Sequence, residues 1–171
     1  KGHFLLRTTL ASHGRGVCVY EEVHNIKTKE KPKTHSLFLK NLAQVLDKDC
    51  KPIVVSDAGF KTPWFRAVLS QGWDFVGRAR LPNFYSLDDK TWQSITHLYS
   101  QATNCPKSFT GRLVRSNELA CRLVLYKQKK KGRQDMNQLG KPRRSKTSKV
   151  YRKSRNDPWL LATSLPQGKQ L

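Results

Sequence analysis

The hydrophobic pattern changes period several times along the chain, and each change predicts an element. Residues 4–10 and 16–23 alternate apolar and polar positions around Ser12-His13-Gly14, which predicts two strands joined as a hairpin. Residues 26–33 are charged and aperiodic, and read as a connection. After Thr34, the positions Leu37, Phe38, Leu42, Val45 and Leu46 recur at helical spacing and predict an amphipathic helix. A β-branched run at 52–56 then predicts a buried strand that ends abruptly on Asp57. Thr62-Pro63 reads as a helix start, Thr62 as N-cap and Pro63 at the first helical position. Trp64, Phe65, Val68 and Leu69 share one face of that helix over 63–71, Gly72 stops it, and 73–80 resumes as a strand. Strand, acid, helix and strand over 53–80 predict a βαβ crossover, with the acid on a short loop at the strand tip.

Beyond this unit the pattern turns β-rich. Residues 92–101 predict a short helix, residues 109–115 and 119–128 a long hairpin around Ser116-Asn117, and residues 158–165 a last strand. At 171 residues the chain can bury a real core, as one domain or one domain with an inserted lobe.

Charge changes the picture. Thirty-three Lys and Arg against twelve acids give +21, well beyond what solubility needs. A polyanionic partner follows, with nucleic acid ahead of membrane because no amphipathic basic helix is evident. Residues 127–155 hold thirteen Lys or Arg and one acid, Asp135, while residues 1–80 hold fourteen against seven. The block contains Lys129-Lys130-Lys131 and Arg143-Arg144 among Gly, Ser, Gln and Pro, without the apolar period that packing needs. It is either a solvated loop or a segment that tracks phosphates, and its length and one-sidedness favour the second. No apolar run approaches a membrane span of about 18 residues, and no leader-like segment opens the chain, so a soluble intracellular protein is expected. Cys18, Cys50, Cys105 and Cys121 have no paired spacing and read as small core or strand residues. The histidines are dispersed, and the acid pairs Glu21-Glu22 and Asp88-Asp89 read as exposed surface.

Asp57 admits two readings. Asp is a common turn former, yet the carboxyl edge of a strand is also where open α/β sheets place their chemistry. The run Val55-Ser56-Asp57-Ala58-Gly59-Phe60, then Trp64-Phe65, Gly72-Trp73 and Val76-Gly77-Arg78-Ala79-Arg80, resembles the second catalytic-aspartate region of bacterial insertion-sequence DDE transposases of the insertion-sequence-four type. Phe4-Leu5-Leu6-Arg7, Gly14-Arg15-Gly16-Val17 and Leu37-Phe38-Leu39 resemble the hairpin and helix before that aspartate. Trp159-Leu160-Leu161-Ala162-Thr163-Ser164-Leu165-Pro166 resembles the strand leading toward the third acid.

The resemblance implies an α/β fold, an RNase H-like mixed sheet with flanking helices plus a β-rich insertion. Along the chain it implies a partial catalytic core over 1–82, the insertion over 83–156 with its basic loop 127–155, and a return strand of the core over 157–171. The implied activity is DNA transposition, in which element ends are cleaved and strands transferred to target DNA. In-line attack on a phosphodiester is served by two magnesium (or manganese) ions held by carboxylates. Of the family's three acids only Asp57 is matched, as catalytic residue and metal ligand. The first aspartate would precede a segment like 1–10, and the glutamate would follow one like 158–166 within a Tyr-Arg-Glu-Lys pattern. A truncated or internal piece, inactive alone, is therefore expected.

Arg78 and Arg80 lie two apart on one strand face, next to Asp57, and are candidate phosphate clamps. Trp64 and Trp73 read as core. By resemblance Trp159 would stack on a base displaced from the duplex; core packing is its other reading. Lys129, Lys130, Lys131, Arg143 and Arg144 complete the candidate DNA contacts. The implied partner is double-stranded DNA, element ends and target, with no membrane, a DNA-bound dimer of the full-length protein and a bacterial cytoplasmic location. A non-catalytic basic nucleic-acid-binding module and a related RNase H-like nuclease are the alternatives.

Overall fold

The computed structural model describes residues 2–127, 136–142 and 157–168. Its fold is mixed α/β. The chain divides into two units, Lys1–Gly77 and Arg78–Leu171, and the division falls within the strand Asp74–Ala79.

In the first unit, β1 (His3–Ser12) and β2 (Arg15–Asn25) form the expected antiparallel hairpin, longer at both ends than the alternation suggests. Gly14 turns it at φ 79°, a conformation that residues with a Cβ rarely adopt. A short 3-10 helix, Ile26–Thr28, follows. Helix α1 (Pro32–Val45) starts earlier than expected, because Pro32 has the fixed φ that suits a first helical residue and the extended Lys31 precedes it. Phe38, Leu39 and Leu42 are its buried apolar residues, whereas Leu37 and Val45 are about half exposed. Helical spacing defines a stripe without deciding its edges.

One acid expected at the surface proves to be a junction between β2 and α1. Glu21 is exposed and pairs with Arg7 at 2.6 Å. Glu22 is half-buried. Its Oε1 accepts hydrogen bonds from Tyr20 Oη at 2.6 Å and from Asn41 Nδ2 of α1 at 2.9 Å. His24 Nε2 lies 2.7 Å from Oε2, an ion pair by distance when the ring is protonated rather than an aligned hydrogen bond. Burial pushes the Glu22 carboxyl up, but the bonds from Tyr20 and Asn41 and the neighbouring His24 outweigh it, leaving the group below its ordinary range. A depressed carboxyl contributes stability above its unfolded value of about 4.3 and loses it as pH falls through the folded value. Wild-type chain is therefore expected to lose its stability advantage over Glu22→Gln as pH drops below about 4.3. Paired thermal melts from neutral to acid pH check this; an advantage unchanged down to pH of about 2 contradicts it.

β3 (Ile53–Ser56) runs parallel to β4 (Asp74–Ala79), with Ile53 opposite Asp74 and Ser56 opposite Gly77, and α2 (Thr62–Ser70) connects them. The predicted crossover is present. Two details differ. Lys61, extended and without a side-chain bond, is the N-cap, while Thr62 lies in the first turn and is 2% exposed. β3 is also not buried on both faces: Val55 is 74% and Ile53 48% exposed, as befits a strand at the end of the sheet. Trp64, Phe65 and Val68 of α2 are buried, with Phe65 stacked on Phe75 at 4.6 Å. A Cβ at Gly77 would collide with the Phe65 ring, so only glycine lets this helix lie so close to β4. His35 joins Phe60 and Trp64 in an aromatic cluster, and burial pushes its imidazole below the usual range.

The second unit is β-rich. β5 (Phe84–Ser86), β6 (Gln93–Ser94), α3 (Thr96–Tyr99), β7 (Lys107–Leu113), β8 (Leu119–Tyr126) and β9 (Trp159–Thr163) follow one another along the chain. Its strands lie in the order β9-β8-β7-β5-β6. The helix predicted over 92–101 shrinks to the four residues of α3, because residues 93–94 pair with β5 instead. Asp88 organises that return: its Oδ1 accepts from Thr91 N–H at 2.7 Å, Lys90 N–H at 3.0 Å and Ser86 Oγ at 3.1 Å. The backbone N–H groups of Thr91 and Lys90 hold its carboxyl well below the ordinary range. Ile95, Leu98, Leu113, Leu123, Leu125 and Leu160 are at most 2% exposed and form the interior. Cys121 lies in this interior, where burial pushes its thiol up to about 12. Cys18 is a strand residue on β2, as expected, and is exposed; Cys50 and Cys105 are exposed in loops, against expectation. No helix among the described residues is long and apolar enough to cross a membrane.

Candidate functional site

Asp57 is the first residue past the carboxyl end of β3 and is exposed. Its Oδ1 accepts a hydrogen bond from Gly59 N–H at 2.8 Å, and Phe60 N–H donates to the Asp57 carbonyl at 3.3 Å. The side chain thus closes an Asx-turn that reverses the chain toward α2. A Cβ at Gly59 would sit 3.0 Å from that Oδ1, so glycine suits the turn. Both readings of Asp57 meet here: it forms a turn, and it stands at a strand tip with a second carboxylate oxygen. Among the described residues, no group of three or more His, Cys, Asp or Glu gathers in a way that could hold a metal ion.

Arg78, Arg80 and Trp159 belong to the second unit. Arg78 lies near the end of β4, half-buried, with its guanidinium 4.5 Å above the centroid of the Trp159 ring. Such a contact is worth about 0.5–2 kcal/mol, depending on desolvation. Burial pushes the Arg78 guanidinium below its ordinary range, the nearby Arg80 adds to this, and Tyr99 and Asp157 oppose it. Arg78 Nε is buried without a hydrogen-bond partner among the described residues. Arg80, one residue past β4, is exposed. Trp159 is 47% exposed and so is not simply a core residue.

Two further residues on this sheet carry no mark in the sequence. Tyr126 lies directly opposite Trp159, and Arg122 opposite Thr163. Arg122 Nε donates to the Leu165 carbonyl at 3.0 Å, and its Nη2 is buried without a partner among the described residues. The alternation of Arg122, Val124 and Tyr126 along residues 119–128 hints at a second face, but which strand meets it depends on a register set more than thirty residues away. The basic positions Lys129, Lys130, Lys131, Arg143 and Arg144 lie outside the described residues. Asp57 and the Arg78–Trp159 pair are thus each built by their own unit. Neither a family model nor a curated protein matches the chain.

Proposed function

We propose that this chain is part of a magnesium-dependent DDE transposase of the insertion-sequence-four type with an RNase H-like core. In this reading it supplies one of three metal-binding acids and much of a DNA-contacting surface. The observation that carries the reading is Asp57 at the carboxyl end of β3, inside a parallel β3-α2-β4 crossover whose residues resemble the family's second catalytic-aspartate region. That edge of a sheet is where α/β folds gather ligands. The net charge of +21 supports a polyanionic partner, and Arg80, exposed just past β4, is placed where a phosphate could reach it.

Magnesium and manganese take oxygen ligands, chiefly carboxylates. Asp57 has the right donor, but one carboxylate cannot fix two ions, and among the described residues no group of three or more His, Cys, Asp or Glu could hold a metal ion. A second reading, a basic nucleic-acid-binding module without chemistry, is favoured by the bond from Gly59 N–H, which already gives the Asp57 carboxylate a structural task.

The test is completion. The 171-residue chain alone, incubated with supercoiled or end-bearing DNA in magnesium or manganese, is expected to cut nothing. Joined to an Asp-bearing strand upstream and a Tyr-Arg-Glu-Lys helix downstream, read from the flanking frame, it is expected to cleave element ends. Cleavage by the chain alone that vanishes in Asp57→Asn means that other acids complete the site. An inert completed chain that still binds DNA favours the module.

A further inference from the structure

The turn that presents Asp57 carries little side chain of its own. Ala58 has one methyl group, Gly59 none, and Asp57 and Gly59 are both exposed. Phe60 is the first large residue after the acid. It is half-buried, and its N–H closes the turn on the Asp57 carbonyl at 3.3 Å. Between centroids, its ring lies 4.5 Å from that of Trp64 and 5.4 Å from that of His35. His35 and Trp64 complete the triangle at 5.4 Å, edge to face. Trp64 belongs to α2, which follows the turn directly, whereas His35 comes from the first turn of α1.

We propose that His35 is a positioning residue for the Asp57 carboxylate, acting through Phe60. The Phe60 ring anchors one end of the turn, and the pairing of β3 with β4, Ser56 opposite Gly77, anchors the other. With both ends held, Gly59 N–H stays 2.8 Å from Oδ1 and the carboxylate plane keeps one direction. His35 is 9% and Trp64 4% exposed, so the surface that receives Phe60 is part of the interior. That surface continues into the core of the first unit, because Phe38 of α1 lies 6.5 Å from Trp64 and 5.2 Å from Tyr20 of β2. The backbone of His35 is fixed by the helix, its N–H donating to the Lys31 carbonyl at 3.2 Å. Burial pushes its imidazole below the usual range, Glu30 opposes this and His24 adds to it, so the ring meets its aromatic neighbours uncharged at neutral pH.

The hold on the turn is independent of what Asp57 does. An aromatic contact of this kind shifts a local opening equilibrium by up to about ten-fold. The consequence for a metal ion rests on the function proposed above. A carboxylate set in place by the groups behind it binds a cation without first being ordered, and loss of such support lowers metal affinity by about ten-fold or more.

The experiment has two readouts. In the 171-residue chain, amide hydrogen exchange at positions 59 and 60 reports opening of the turn. His35→Leu keeps apolar bulk without a ring and is expected to speed exchange at both positions about ten-fold, while the Leu123 and Leu125 amides of β8 stay within about two-fold. His35→Phe restores a ring and is expected to return both rates to within about two-fold of wild type. Phe60→Leu removes the same contact from the half-buried side, and is expected to match His35→Leu, with the double variant no faster than either single one. Unchanged exchange at position 59 in Phe60→Leu overturns the proposal, as does a rise in His35→Leu that Leu123 and Leu125 share equally. In the completed chain, the magnesium needed for half-maximal end cleavage is expected to rise about ten-fold in His35→Leu and to return in His35→Phe, with DNA affinity within about two-fold of wild type. A magnesium requirement that does not change while the turn opens faster overturns the positioning role. Failure of the functional reading looks different: Asp57→Asn stays active, and the exchange rates in the His35 and Phe60 variants are unaffected by that result.

Discussion

Replacing Asp57 by Asn in the completed chain is expected to abolish cleavage and joining, by on the order of a thousand-fold or more, while DNA affinity stays level or rises slightly. The substitution keeps size and shape and removes only the charge. An Asn Oδ1 still accepts from Gly59 N–H, so the Asx-turn that Asp57 closes at 2.8 Å survives. Stability is therefore expected to shift by no more than about 0.5 kcal/mol, as for exposed positions generally. A metal ligand, by contrast, loses most of its affinity for a divalent cation with its charge. DNA affinity is expected to stay level or rise slightly, because in the proposed function an anion leaves a phosphate-binding cleft. The two roles predict opposite results: a turn former leaves Asp57→Asn near wild type in activity, a metal ligand leaves it folded and inert. End-cleavage assays beside thermal melts decide. Activity near wild type rejects Asp57 as a metal ligand.

Neutralising Lys129, Lys130, Lys131, Arg143 and Arg144 together is expected to flatten the salt dependence of DNA binding. Each phosphate contact releases counterions and contributes about 0.9 to the slope of log affinity against log salt. With one contact per residue, the slope falls by up to about 4.5, so wild type loses roughly 500-fold more affinity than the variant between roughly 50 and 200 mM salt. The effect is expected on any duplex sequence, since phosphates carry no base information. A titration of affinity against salt for both proteins is the measurement. An unchanged slope makes these residues a solvated charge run and removes the block from the DNA surface.

Much of the framework is legible in the sequence because it rests on local physics. The crossover is announced by the β-branched run before Asp57, by Pro63 in the first turn of α2 and by Gly72 after it, whose φ of 74° matches the turn between helix and strand. The hairpin follows from alternation around Gly14. Failures occur where a neighbour distant in sequence decides. Residues 93–94 become strand because Phe84 and Tyr85 offer an edge, and Asp88 closes the loop between them. Glu22 leaves the surface because Asn41 of α1 donates to it. Val55 stays exposed because β3 ends the sheet, which composition cannot show.

The candidate residues divide the same way. Charge, the acid after a β-branched run and the tryptophan before Leu-Leu-Ala-Thr are properties of the chain as written, and they suffice to nominate Asp57, the basic block and Trp159. Their environments are not. That Asp57 closes a turn through Gly59, that Arg78 lies over Trp159, and that Tyr126 and Arg122 share the Trp159 face were decided by the tertiary structure. The reason is register. A strand has a side-chain period of two, so a slip of one residue between β8 and β9 would turn Tyr126 and Arg122 to the opposite face from Trp159. That register is set by burying Leu123, Leu125, Leu160 and Ala162 together, a contact between segments too far apart in sequence for local pattern to specify.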